Sequence, residues 1–512
     1  MKEKLQLSKD SNMNISKAKE QIRNAITAYL TKDDLGNYVI PVEKQRPVLL
    51  IGPPGIGKTA IMEQLASELD IGLISYSMTH HTRQSAIGLP FISHKVYGGE
   101  ECDVTEYTMS EIIASVYDLM ETTGVRQGIL FLDEINCVSE TLSPLMMQFL
   151  QYKVFGGHRL PEGWIVVTAG NPSEYNDSAR EFDIVTLDRL KKIDVEPDFE
   201  AWKEYASAVH MHPAVMSFLQ SKRNHFYHVE TTVSGKSIVT PRGWEDLSKM
   251  LQLYEKNGIE ADEDLIVQYL QNRKTAKEFA VYLDLYNKYR EEYPVDAILE
   301  GETPDEMEER ASGAGFDEVY TLIGLLLSNV KDDVHERMEE RRLLESVKLC
   351  VKEYKAAASG EPVPAENIKR LIARIELGRE AGLRSHSLTR EEADRMLRTV
   401  SCLYDMADLV KNAPDYDSSY EYIRGAYGKL VAAHNEKAEH TRSRMDNMFR
   451  FTDMCWGEGK EMLMMATELT ADPDSVSFIS TYGCDEYFRH NKGLLLDERD
   501  IEIKKQIEEL GL

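Results

Sequence analysis

The chain has 512 residues, 42% hydrophobic and 29% charged, a balance that excludes a disordered polypeptide and has room for roughly two to four domains. Acids outnumber bases 87 to 60, and the formal net charge of −27 repels phosphate backbones and anionic membrane surfaces, which argues against nucleic acid and membrane as partners. The longest apolar run, LIGLLL at 322–327, is too short to cross a bilayer. Six dispersed cysteines form no CxxC pair and residues 1–17 lack the apolar core of a signal peptide, so a reducing, cytoplasmic setting is expected.

In chain order, Ile22, Ile26 and Leu30 recur at spacing four and predict an amphipathic helix from Ser16, its expected N-cap, to about Thr31. Five short apolar runs follow: 48–51, 71–77, 129–133, 165–169 and, more weakly, 192–196. Runs without polar alternation fit strands buried on both faces, hence a parallel sheet flanked by helices in an α/β core. Gly98-Gly99 and Gly156-Gly157 each predict a hairpin turn, and a helix is expected near Ser110. Beyond residue 200 helix formers dominate. The expected division is an N-terminal helical segment at 1–44, a nucleotide-binding core at 45–199, a helical lid at 200–295 and an all-α region at 296–512. Breaks are expected near 358–366, 412–419 and 471–475. The mixed charges of 335–355 read as a solvated helix face.

The sequence GPPGIGKT at 52–59 has the spacing G-x-x-x-x-G-K-[ST], between a predicted strand and a predicted helix. Gly52, Gly55 and Gly57 permit a tight turn whose N–H groups face a phosphate. Pro53, Pro54, Ile56 and Ala60 complete the loop, and the helix that follows turns its positive end toward it. Lys58 is expected to reach the β- and γ-phosphates and Thr59 to ligate Mg²⁺. Asp133 ends the run ILFLD, where a second ligand to the metal belongs. Glu134 beside it is placed to polarise a water for attack, so hydrolysis is expected, not mere binding. The Asn-Lys-x-Asp that selects guanine is absent, since NKYR at 287–290 and NKGL at 491–494 both fail, and ATP is the expected nucleotide. His80-His81, His210/His212 and His225/His228 have no partners at zinc-ligand spacing, and Cys137 reads as a buried, inert thiol.

On these motifs the chain resembles the AAA+ ATPases, and within them the MoxR-like branch, over about residues 20–290. The resemblance is carried by DEIN at 133–136, by PLMMQFLQYKVFGGHRLPEGWIVVTAGNP at 144–172 and by LDRL at 187–190. It implies that Asn171 is the sensor-1 residue orienting the attacking water. It implies that Arg189 is the arginine finger offered to a neighbouring subunit, with Arg180 a rival. Arg242, in TPRGWEDL at 240–247, matches sensor 2, against the alternative of a helix-start pairing with Glu245 or Asp246. Further implications are a hexameric ring, a partner with a von Willebrand factor A domain, and a protein client that is remodelled. The stretch 78–109 resembles the insert in the family's second helix. Its tip residue Tyr97, and Phe155 on the second hairpin, are candidates to grip a polypeptide or to pack beneath their own turns. The chain departs from the family in reading DEINCV at 133–138 and in the connection 173–186. A nucleic-acid motor and a nucleotide-gated scaffold are the alternative functions.

Overall fold

The computed structural model describes residues 13–490, apart from 177, 233–234, 358–363, 386, 412 and 414. The expectations for residues 1–12, for NKGL at 491–494 and for the break at 358–363 lie outside the described residues. The chain divides into two compact units. One runs to Ala201 and takes in Arg374–Met396; the other holds Trp202–Ala373 and the chain from Leu397 onward.

The first unit is built on a parallel sheet of five strands. Numbering all strands along the chain, these are β1 (Val48–Ile51), β2 (Gly72–Ser77), β5 (Gly128–Asp133), β8 (Trp164–Gly170) and β9 (Lys191–Asp194). The order is β2-β5-β8-β1-β9. Every pairing is parallel, as the unbroken apolar runs require, and β5 and β8 are buried at nearly every position. The register sets Ser77 beside Asp133 and Ile51 beside Gly170, which gathers the carboxyl ends of four strands at one edge of the sheet. Leu130, Leu132, Val166 and Trp164 pack there with Ile112, Val116, Met146 and Phe149 from flanking helices.

The N-terminal helix spans Ile15–Tyr29 and buries Ile22 and Ile26. Its N-cap is Asn14, not Ser16: the Asn14 side chain accepts from the Lys17 N–H at 2.9 Å. The helix Glu111–Thr123 begins at its N-cap Ser110. Two antiparallel hairpins project from this unit, β3 (Pro90–Tyr97) with β4 (Glu100–Tyr107), and β6 (Val154–Phe155) with β7 (His158–Arg159). Both turn at the expected glycine pairs. The outer edge of β2 is closed by Arg374–Met396, where the Leu73 N–H donates to the carbonyl of fully buried Ser385 at 2.9 Å.

Among its described residues the second unit is helical except for one hairpin, β10 (His228–Thr232) with β11 (Gly235–Val239), which interrupts the segment expected to be a helical lid. Phe218, Trp244 and Phe279 form its aromatic centre, with ring centroids 5.2–5.7 Å apart. Farther on, the helices Phe316–Ala357 and Tyr416–Trp456 pack along each other. The mixed charges of 335–355 are a solvated face only in part: Glu336, Glu345, Lys348, Lys352, Glu353 and Lys355 are exposed, while others turn inward. Arg337 is buried and paired with Glu340 at 2.6 Å, and Val347, Val351 and Tyr354 are buried on the same helix. Helices end at Val410 and Thr470 and restart at Tyr416 and Pro473, matching two of the expected breaks. Among the described residues no helix is long and apolar enough to cross a membrane.

Candidate functional site

The loop after β1 carries Gly55 and Gly57 at φ 74° and 94°, left-handed values that glycine adopts without strain. Gly52 is required for a different reason from the one expected: it does not turn the chain, but a Cβ there would lie 2.7 Å from the Val195 carbonyl oxygen. Pro53 is buried and Pro54 half-buried, Ile56 is anchored in the core, and the helix Ala60–Leu69 starts directly after Thr59. The Lys58 ammonium is buried and donates to the carbonyls of Gly52 at 2.8 Å and Pro53 at 2.7 Å, and to Asn171 Oδ1 at 2.8 Å. The expected sensor residue thus meets the loop lysine directly.

Thr59 Oγ1 donates to Asp133 Oδ2 at 3.2 Å. Two hard oxygen donors so placed fit Mg²⁺, which is ordinarily held by one or two protein oxygens with the remainder from phosphate and water. Among the described residues no group of three or more His, Cys, Asp or Glu forms a metal cage, so any metal here relies on the nucleotide for its other ligands. The free Asp133 oxygen accepts from the Glu134 N–H at 2.8 Å. Glu134 itself has φ 56° and ψ 33°, a left-handed conformation costly for a side chain with a Cβ, of the kind that concentrates at functional sites. Its Oε2 accepts from Ser77 Oγ at 2.7 Å and Thr79 Oγ1 at 2.9 Å.

Ser77 and Thr79 are site residues that the motif reading missed. The usable signal was positional: Ser77 ends a predicted strand, and parallel pairing with the Asp133 strand brings it level with the two carboxylates. Asn136 was missed as well. It is buried, and its Nδ2 donates to the Asn171 carbonyl at 2.7 Å.

The arginines fall apart into three cases. Arg189 is exposed, just beyond the short helix Ile184–Leu187, and enters no hydrogen bond or ion pair through its guanidinium among the described residues. Arg180 is exposed and pairs with Glu140 at 3.0 Å. Arg242 lies in the second unit, exposed in the first turn of the helix Pro241–Lys256 behind the N-cap Thr240. It pairs with neither Glu245 nor Asp246; Glu245 instead accepts from Lys249 at 2.5 Å and Tyr205 at 3.2 Å.

Phe155 is not a gripping tip. It is 2% exposed and stacked on Phe149 with centroids 4.0 Å apart. Tyr97, at the other hairpin's end, is exposed. A cleft of about 640 Å³ lies along the hairpins, lined by Phe91, Val104, Tyr107, Leu145 and Phe155. Cys137 is half-buried, not buried as expected; burial pushes its thiol up, and the charges of Glu134 and Asp133 push it further. His81 contacts Ser85 at 3.2 Å, His212 contacts Glu255 at 3.2 Å, His225 contacts Thr275 at 2.9 Å, and His228 contacts Glu230 at 2.9 Å.

Residues 48–183 match the model of the AAA family, the ATPase family associated with various cellular activities. The matched stretch contains the loop at 52–59, both carboxylates and Asn171, and ends before Arg189 and Arg242. No curated protein matches the chain. Two solved structures similar to it are mutants of RuvB from Thermotoga maritima. The lysine-to-arginine mutant is 18% identical, covering 51% of this chain and 69% of that one with a TM-score of 0.28. The proline-to-glycine mutant is 18% identical, covering 49% and 69% with a TM-score of 0.27.

Proposed function

We propose that the chain is a MoxR-like AAA+ enzyme that hydrolyses ATP and uses the cycle to remodel a protein client. The observation that carries the reading is Glu134. A carboxylate at the end of β5 is held by two hydroxyls, in a strained backbone conformation, beside the loop that holds Lys58 and Asn171. Hydroxyl donors fix a carboxylate without cancelling its charge, which leaves it able to take a proton from water as the water attacks the γ-phosphate. Lys58 exchanges its carbonyl partners for β- and γ-phosphate oxygens, and Asn171 turns its amide toward the attacking water. Thr59 and Asp133 would hold Mg²⁺, whose charge offsets that of the phosphates when it is bound.

The family resemblance supplies the assembly. In this reading a hexameric ring places Arg189 of one subunit at the γ-phosphate of the next, where a cation stabilises the charge of the transferring phosphoryl group. The pairing of Arg180 with Glu140 favours Arg189 for this task. Arg242 would serve its own subunit's γ-phosphate. A von Willebrand factor A domain protein is the expected partner, and the exposed hairpin ending at Tyr97 is the surface assigned to the client.

The test is mass photometry and phosphate release on the full chain with magnesium and ATP. Assembly into a ring, with turnover that Arg189→Ala removes, supports the reading. A protein that stays monomeric and turns over unaffected by Arg189→Ala defeats it. Affinity capture with the Glu134→Gln form should retain a von Willebrand factor A protein; retention of DNA alone favours a nucleic-acid motor instead.

A further inference from the structure

Asn136 is buried at 6% exposure in the turn that directly follows Asp133 and Glu134. Its side-chain N–H donates to the carbonyl of Asn171 at 2.7 Å. Its own carbonyl accepts from the backbone N–H of Arg180 at 2.9 Å. Its Oδ1 is pressed against Gly170, where a Cβ would come within 2.4 Å. Next to it, Cys137 Sγ accepts from Asn176 Nδ2 at 3.2 Å, a second stitch between the same turn and the same connection.

We propose that Asn136 is a positioning residue that links the main-chain carbonyl of Asn171 to the main chain at Arg180, so that the state of the nucleotide is passed to the connection leading to Arg189. The inference rests on the ATP hydrolysis proposed above. The chemistry demands asparagine. Aspartate has the same shape but no donor, and sets a carboxylate oxygen against the Asn171 carbonyl. An apolar residue leaves that carbonyl without its partner, a costly arrangement at a buried site. Glycine at 170 is the complementary requirement, because any side chain there displaces the Asn136 amide. A shift of Asn171 as Lys58 turns from it to phosphate therefore draws on Asn136. Asn136 in turn holds the Arg180 N–H, three residues before the N-cap Asp183 of the short helix that ends just before Arg189.

The test uses two variants that break the same link from its two sides, Asn136→Asp in the turn after β5 and Gly170→Ala at the end of β8. With magnesium and ATP, each should lower kcat by about tenfold or more while KM and ADP affinity stay within about threefold, the signature of lost transition-state positioning. The independent readout is amide hydrogen exchange over residues 173–183. In the unaltered protein it should differ between ADP and adenylyl imidodiphosphate, and in both variants that difference should vanish. An unchanged kcat, or an exchange difference that survives in the variants, overturns the proposal. So does loss of ADP binding together with kcat in both, which marks a purely structural role. If the unaltered protein fails to turn over ATP, the proposed function fails first; if it turns over and the variants match it, only the role of Asn136 fails.

Discussion

Two glutamates, one in each unit, are held in opposite ways. Glu134, at a strand end in the sheet unit, is gripped by the hydroxyls of Ser77 and Thr79. Glu468, on the helix Lys460–Thr470 of the helical unit, lies between Lys203 and Lys331, the latter at 3.4 Å, and accepts from Gln220 at 3.0 Å. Burial pushes the Glu468 carboxyl up, but the two ammonium groups outweigh it and hold the group below the ordinary range. Glu340 repeats the second pattern with Arg337, His434 and Lys437. The difference separates chemistry from architecture. A carboxylate held by neutral donors keeps its charge for a reacting partner, and one held by cations has already spent it on the fold.

The sharpest break of this comparison is Glu134→Gln. It keeps the shape and the hydroxyl contacts and removes only the charge. Phosphate release should fall by about a thousandfold, in line with the loss of a positioned general base, with ADP affinity and melting temperature little changed. A variant that melts much earlier would place Glu134 with the architectural glutamates.

This asymmetry also decides what the sequence discloses. The loop at 52–59 is legible because phosphate binding needs a local pattern of glycines and a lysine, and the Asp133–Glu134 pair because it ends an apolar run. Ser77 and Thr79 are not legible by motif, since their meaning comes from the register between β2 and β5. The reason for Gly52 is not legible in the motif, because close approach to Val195 is a tertiary fact. Phe155 directly precedes a turn signal, yet it is buried by stacking on Phe149 of the helix before the hairpin. The N-cap differs by two residues because Asn14 and Ser16 are both good caps, and the three-dimensional structure gives the Lys17 N–H to the Asn14 side chain. In the helical unit, opposite charges at helical spacing read as solvent-facing. Sequence spacing does not reveal partners 94 and 97 residues away, such as the His434 and Lys437 that meet Glu340.

Glu468→Ala tests the other side of the comparison. It leaves Lys203 and Lys331 facing one another without their shared counter-charge, and breaking such a largely but not fully buried group should cost roughly 2–3 kcal/mol, toward or below the low end for buried pairs. Denaturant unfolding should report the loss, while ADP affinity, set in the sheet unit, stays as it was. A smaller effect is expected from Ser77→Ala combined with Thr79→Val. The carboxylate keeps its charge but loses its aim, and turnover should fall about three- to tenfold with nucleotide affinity retained. A rise in turnover would mean that the hydroxyls restrain Glu134 instead of aiming it.

The smallest effect belongs to Glu255, near the end of the helix Pro241–Lys256. Burial pushes its carboxyl up, but His212, with Nε2 at 3.2 Å, and Arg290 together outweigh that and hold it at about 2, against an ordinary 4.5. A carboxyl depressed in the folded state binds a proton more weakly there than in the unfolded chain. Its contribution is therefore complete above the unfolded value and drains away as pH falls toward about 2. The side chain is about a third exposed, so solvent weakens the pairing and the contribution is modest. Melting temperatures of the unaltered protein and of Glu255→Gln should differ slightly at pH 6, converge between pH 4.5 and 2, and coincide at the acid end. A gap that widened on acidification would have the wrong sign for a cation-held carboxylate, and Glu255 would then leave the architectural class to which Glu468 and Glu340 belong.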